Sequence, residues 1–287
     1  WKKLGVDGHL KGKRPWLPYH ELLNQYTAEI AGAMEKEVVV MNSLTVNLHL
    51  LMTSFYRSKG KQKKILIENN AFPSDRYAVQ SQLKIHGCHP VDDLMILNPD
   101  QGETITTEWI LDCIERHGDE IATVLIGGVN YYTGQAFDME VITRKAHEYG
   151  CFVGFDLAHA AGNLHLKLHD WSVDFAAWCG YKYLNGGPGA PSGVFIHERH
   201  LGKSDTPRFE GWWGHDKSTR FQMPDEFVPI ATAEAWQLSN PPIFSMAPLL
   251  ASLEIFHKAG IENLRKKSEK LTSFLEDLLK NELGQEI

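Results

Sequence analysis

The chain has 287 residues, 43% of them apolar, 10% aromatic and 23% charged, a composition that supplies ample core material and excludes collagen, coiled coil and intrinsic disorder. Lys plus Arg number 29 against 36 Asp plus Glu, a formal net charge of −7, so no excess of cations is present to neutralise a nucleic-acid backbone or an anionic membrane, and neither partner is expected. The cysteines Cys88, Cys113, Cys151 and Cys179 show no CxxC spacing, and no apolar run reaches the roughly 18–20 residues that cross a bilayer. The opening Trp1-Lys2-Lys3-Leu4-Gly5 lacks the order of a signal peptide. A reduced, cytoplasmic protein is the expectation. A first residue other than Met and an abrupt finish at Gln285-Glu286-Ile287 suggest a piece of a longer protein.

In chain order, Asn42-Ser43-Leu44-Thr45 precedes the apolar-periodic run Val46 to Phe55, which predicts a helix capped by Ser or Asn, with an N-terminus suited to phosphate. Short β-branched runs follow at Lys64 to Glu68, Leu94 to Leu97, Ile121 to Ile126, Cys151 to Asp156 and Phe175 to Cys179. Helical periods lie between them at Asp75 to His86, Thr106 to His117 and Met139 to Tyr149. Strands alternating with helices of about 10–15 residues predict an α/β domain with a mostly parallel sheet covered on both faces. Past residue 200 the rhythm stops, and Trp212-Trp213-Gly214-His215 and Ser239-Asn240-Pro241-Pro242 read as aromatic loops of the kind that border a site. From Ser245 the tail is helical, and Ile261 to Leu283, with Leu264, Leu271, Leu275 and Leu278 among Lys and Glu, reads as an amphipathic helix.

Two motifs carry chemistry. Gly154-Phe155-Asp156-Leu157-Ala158-His159 ends a buried strand on an acid, at the sheet edge where α/β proteins bind ligands. Capping of the next short helix is the alternative role for Asp156, and a structural histidine the alternative for His159. Trp178-Cys179-Gly180-Tyr181-Lys182-Tyr183-Leu184-Asn185, followed by Gly186 and Gly187, puts a lysine at the same edge among aromatics, where poor solvation favours the free amine and condensation with an aldehyde. An ordinary snorkelling lysine is the alternative. Together an acid, a lysine and a helix N-terminus at Leu44-Thr45 meet the needs of pyridoxal phosphate (PLP), whose ring nitrogen wants a carboxylate and whose aldehyde wants an amine. Phe72 could stack on the ring.

These segments, with Gly12 to Trp16, Leu44 to Leu51, Phe72 to Asp75, Tyr132 to Gln135, Phe155 to Ala160 and Ser239 to Pro242, resemble the kynureninases within the class V aminotransferase group of fold type I PLP enzymes, and the likeness runs from end to end. It implies the PLP-binding large domain over residues 1–259, with the N-terminal arm missing, and over 260–287 a helix leading toward a small domain that is largely absent. It implies that Lys182 holds the cofactor aldehyde, Asp156 pairs with the ring nitrogen, and His159, Phe72 and Asp75 lie around the ring. Leu44, Thr45 and the Tyr181 hydroxyl would hold the phosphate. Trp212 and Asn240 would come from the neighbouring subunit of a homodimer, and His9, Ser239 and Asn240 would face the substrate. The implied reaction is hydrolytic Cβ–Cγ cleavage of L-kynurenine or 3-hydroxy-L-kynurenine to L-alanine and anthranilate or 3-hydroxyanthranilate, with Lys182 moving the α-proton and Tyr181 relaying protons. Gly127 departs from the serine of animal members, and the arginine for the substrate carboxylate lies outside this chain.

Three other readings remain. A cysteine desulfurase-like lyase needs a mobile thiol, whereas Cys179 sits in an apolar strand. A metal-dependent hydrolase would use His159, His165, His169 and Asp170, if His-x3-His were helical, but Leu164 to Leu168 alternates like a strand or loop. The third is a large domain that is inactive by itself.

Overall fold

The computed structural model describes residues 1–100 and 102–284. Helix α1 (Asn24–Ala31) precedes strand β1 (Val38–Met41), and α2 (Leu44–Phe55) follows it. Then come β2 (Lys64–Glu68), α3 (Pro73–Ile85), the single turn α4 (Pro90–Asp93), β3 (Leu94–Leu97), α5 (Thr107–His117), β4 (Ile121–Gly127), α6 (Met139–Glu148), β5 (Phe152–Asp156), β6 (Phe175–Trp178) and β7 (Ser192–Ile196). Two helices, α7 (Ile243–Ala259) and α8 (Ile261–Leu283), end the described chain. The expected alternation is present. The short runs β1 and β7, and helix α1, are additions to it.

The seven strands form one sheet in the order β1-β7-β6-β5-β4-β2-β3. Strand β7 is antiparallel to both its neighbours, and the remaining pairs are parallel, so six strands run one way. Alternate side chains feed two layers, as a period of two requires. Val38, Val40, Val124, Ile126, Val153, Phe155 and Trp178 pack with α5, α6 and α7, whereas Val39, Met41, Ile65, Ile67, Phe175, Val194 and Ile196 pack with α2 and α3. Residue 154 faces the second layer and has to be glycine: a Cβ there would lie inside the Phe175 ring, which stacks on Phe55 at 4.9 Å.

One carboxylate locks the edge of the sheet remote from the site. Asp174 accepts from the Val153 amide at 2.8 Å, His147 Nε2 at 2.8 Å and His200 Nε2 at 2.7 Å, and also from Arg199. Burial opposes its charge, but the hydrogen bonds from His147 and His200 and the Arg199 cation outweigh that and hold it well below the ordinary carboxylate range. At the other end of the chain, α8 has no buried residue, and Leu271, Phe274, Leu275 and Leu278 stand exposed.

Candidate active site

Because six strands share a direction, their carboxyl ends meet along one edge, with Gly127 and Asp156 in register on β4 and β5. A cavity of about 290 Å3 opens there. Strand β1 delivers Ser43, Leu44 and Thr45 at the start of α2, and β2 delivers Glu68 and, through the turn into α3, Phe72, Ser74 and Asp75. Strand β5 supplies Asp156 and, just beyond, His159, while the link from β6 to β7 supplies Tyr181 and Lys182. Ser43 occupies the N-cap of α2 with extended backbone but makes no side-chain cap hydrogen bond. The expected cap is therefore positional only, and the first-turn N–H groups are left for a ligand. Asn42 instead donates to Asn47 Oδ1 at 3.0 Å, and Asn47 donates to the Met41 carbonyl at 2.9 Å, fixing the turn from β1 into α2.

Asp156 is buried, and its Oδ1 accepts from the Ala158 amide at 2.7 Å. Both readings of its sequence position are thus realised: it caps the following turn and it faces the cavity. Asp75 is also buried, with Oδ1 free of any partner. Burial, and then the neighbouring Asp156 charge and hydrogen bond, push Asp75 up to about 10, and burial raises Asp156 too. Burial and the nearness of the two carboxyls disfavour ionising both at once, so the pair titrates as a unit. Lys182 Nζ donates to His159 Nε2 at 2.9 Å and lies 5.8 Å from the centre of the Phe72 ring. Burial and the Lys182 charge lower the His159 pKa, so a neutral ring accepts. Partial burial, with Cys179 beside it, raises the Tyr181 phenol above its ordinary range.

The cavity thus gathers Leu44, Thr45, Phe72, Asp75, Asp156, His159, Tyr181 and Lys182. It also contains Glu68, which sequence reasoning missed, since an acid at a strand end has no local sign of burial. His9, Trp212, Ser239 and Asn240 do not line it. His9 lies edge-on to Trp16 at 5.3 Å, and Trp16 meets Phe244 at 6.3 Å, so His9 and the first turn of α7 share one neighbourhood. The Trp212 indole donates to the Arg220 carbonyl at 3.0 Å. Among the described residues, no three of His159, His165, His169 and Asp170 bring ligand atoms within 4.8 Å of one another. His169 bonds buried Glu37 at 3.0 Å instead, and residues 164–168 form a loop. Cys179 is buried, and burial pushes its thiol up, the opposite of an activated nucleophile.

A sequence model described as aminotransferase class-V matches residues 19–287. The chain belongs to the class V aminotransferase family. Among class V relatives, a kynureninase of Myxococcus xanthus is 60% identical over 280 residues, covering 97% of this chain and 66% of the relative. One from Koribacter versatilis is 61% identical with the same coverage, and one from Christiangramia forsetii is 54% identical over all of this chain and 68% of its own length. The chain thus spans about two thirds of these class V proteins. A cysteine desulfurase from Thermococcus onnurineus NA1 has the same fold, with a TM-score of 0.75 at 17% identity over 95% of this chain and 65% of that one.

PLP is the cofactor of the class V family, and the residues present fit it. A buried carboxyl pair with an unpartnered oxygen awaits a cation, an uncapped helix end awaits an anion, and an amine reaches the space between them.

Proposed function

We propose that this chain is the cofactor-binding part of a PLP-dependent kynureninase, which hydrolyses the Cβ–Cγ bond of L-kynurenine or 3-hydroxy-L-kynurenine to L-alanine and anthranilate or 3-hydroxyanthranilate. The observation that carries the reading is the Lys182 amine facing the Asp75–Asp156 pair in one cavity headed by the open end of α2. The names of relatives more than 50% identical support the choice of substrate.

In this reading Leu44 and Thr45 hold the phosphate with the α2 amides, and the Tyr181 hydroxyl joins them. Phe72 covers one face of the ring, and Asp156 keeps its nitrogen protonated. Bound PLP supplies an electron sink for the bonds around the substrate α-carbon. Lys182 takes the α-proton, and His159, neutral and 2.9 Å away, keeps the amine aimed into the cavity between transfers. The raised Tyr181 phenol stays protonated at neutral pH and can hand its proton on. Water contributes the hydroxyl that ends on the aromatic acid and the hydrogen that ends on alanine, which balances the cleavage.

The family likeness is what supports a homodimer in which Trp212 and Asn240 serve the partner's site and His9 and Ser239 face the substrate; none of the four lines this cavity. Helix α8 leads from the large domain, residues 1–259, toward a small domain carrying the carboxylate-binding arginine, and the cytoplasm is the expected location. The test is the visible spectrum of the full-length protein with PLP, before and after kynurenine. Wild type should show an absorption band that changes with kynurenine, with alanine and the aromatic acid as products, and Lys182→Ala should show neither. A Lys182→Ala variant with the wild-type band refutes the assignment.

A further inference from the structure

Glu68 is a third buried carboxyl in this cavity, and the roles proposed above leave it unused. It ends β2 at 5% exposure, and its Oε1 accepts from the Gly127 amide at 3.1 Å. A Cβ on Gly127 would stand 3.0 Å from that oxygen and 3.4 Å from the Val129 carbonyl. Contacts that tight force the neighbour to yield, so Gly127 and Glu68 fit one another: the missing side chain on β4 is the room in which the carboxyl of β2 sits.

Ionisable groups share the cavity with Glu68 from α3, from β5 and the turn after it, and from the β6–β7 link, which also carries Tyr181. Asp75 faces it from α3, Asp156 from β5, His159 from the turn after β5 and Lys182 from the β6–β7 link. Arg76 lines the polar hollow next door, which Glu68 and Tyr131 also border. Among the described cavity residues three carboxyls therefore meet one lysine. In such a buried site each charge acts strongly on the others, and an ionised Glu68 favours any cation held by the aspartates. Burial pushes Glu68 up to about 7, so its charge changes near neutral pH.

We propose that Glu68 is a positioning residue of this site: seated in the room left by Gly127, its carboxyl acts through the Asp75–Asp156 pair to hold the protonated ring nitrogen of the cofactor. The inference rests on the PLP reading. Its test is PLP affinity, read from quenching of tryptophan fluorescence in the full-length apoprotein between pH 6 and 9. The comparison is wild type against Glu68→Gln and Gly127→Ala, with circular dichroism confirming the fold of each. Relative to Glu68→Gln, wild type should gain affinity as pH rises through about 7, reaching about tenfold by pH 8, the equivalent of one pKa unit on the ring nitrogen. Gly127→Ala, which pushes the carboxyl away from the amide that helps hold its charge, should move that gain to higher pH, and it carries the comparison if the glutamine variant does not fold. A folded variant that matches wild type in affinity and pH profile overturns the proposal alone. Failure of wild type to bind PLP removes the cofactor reading and this proposal together.

Discussion

Asp156 and Asp174 are both buried, yet they are displaced in opposite directions. Asp174 meets three cationic or imidazole donors and an amide, so its charge is held. Asp156 meets another carboxyl and one amide, and burial outweighs the amide and the nearby Lys182 charge, so its carboxyl is pushed up. Asp174 stands just before β6 and is held by the fold, whereas Asp156 ends the neighbouring β5 and faces the cavity. Asp174→Asn should cost about 3 kcal/mol of folding stability, as expected when a buried ion pair loses one member, measured by urea denaturation at pH 7. The folded pKa of Asp174 is depressed, so its contribution is complete above the unfolded value of about 3.9 and is lost as pH falls toward the folded one. Wild type should weaken below about pH 4 more steeply than Asp174→Asn, and equal slopes in acid would contradict this account.

Strand β5 shows how an element serves the site through its packing. Gly154 admits the Phe175 ring and Asp156 ends the strand two residues later, so the layer beneath and the edge above are set together. Gly154→Ala should destabilise the fold by about 1–3 kcal/mol through overpacking and should also weaken PLP binding. A variant with wild-type stability would show that the ring can move aside. Elements like β2 and β5 were legible because a run such as Ile65-Leu66-Ile67 is buried on both faces and bounded by polar residues. The Ser-Gly start of β7 gives a weak signal, and β1, although its Val38-Val39-Val40-Met41 run is rich in β-branched residues, lies outside the strand–helix alternation; the two pair with each other across most of the chain. In the site, Lys182 and Asp156 were legible because each follows an apolar strand. Glu68 was not, because its burial depends on Gly127, a neighbour in the sheet and far away in sequence.

The molecule as a whole divides into a closely packed sheet with its two helical layers and an α8 that leaves them. Ile261 still packs against the core, but every described residue from Glu269 onward is exposed. Deleting residues 269–287 should therefore shift the thermal midpoint by less than about 1 °C, under the roughly 2 °C expected for a loss of 1 kcal/mol in a chain of this size, as calorimetry can check. A larger drop would mean that the apolar stripe around Leu271 and Leu275 is covered in solution. Trp212 and Asn240 do not line the cavity that holds Lys182, and the proposed homodimer would bring them to it from a second copy.

The pairing of β1 with β7 bears on the order in which a growing chain acquires its parts. Strand β1 leaves the ribosome early but has no hydrogen-bonding neighbour in the sheet until Phe195 and its surroundings emerge. Strands β2 to β6 pair among themselves and can assemble first. The start of α2 is tied to β1 by a two-residue turn, so the helix end proposed to receive phosphate gains its anchor in the sheet only once β7 has emerged, after Lys182 and Asp156 have been synthesised. A nascent chain stopped before β7 would carry the acid and the amine without the anion cradle that completes their pocket.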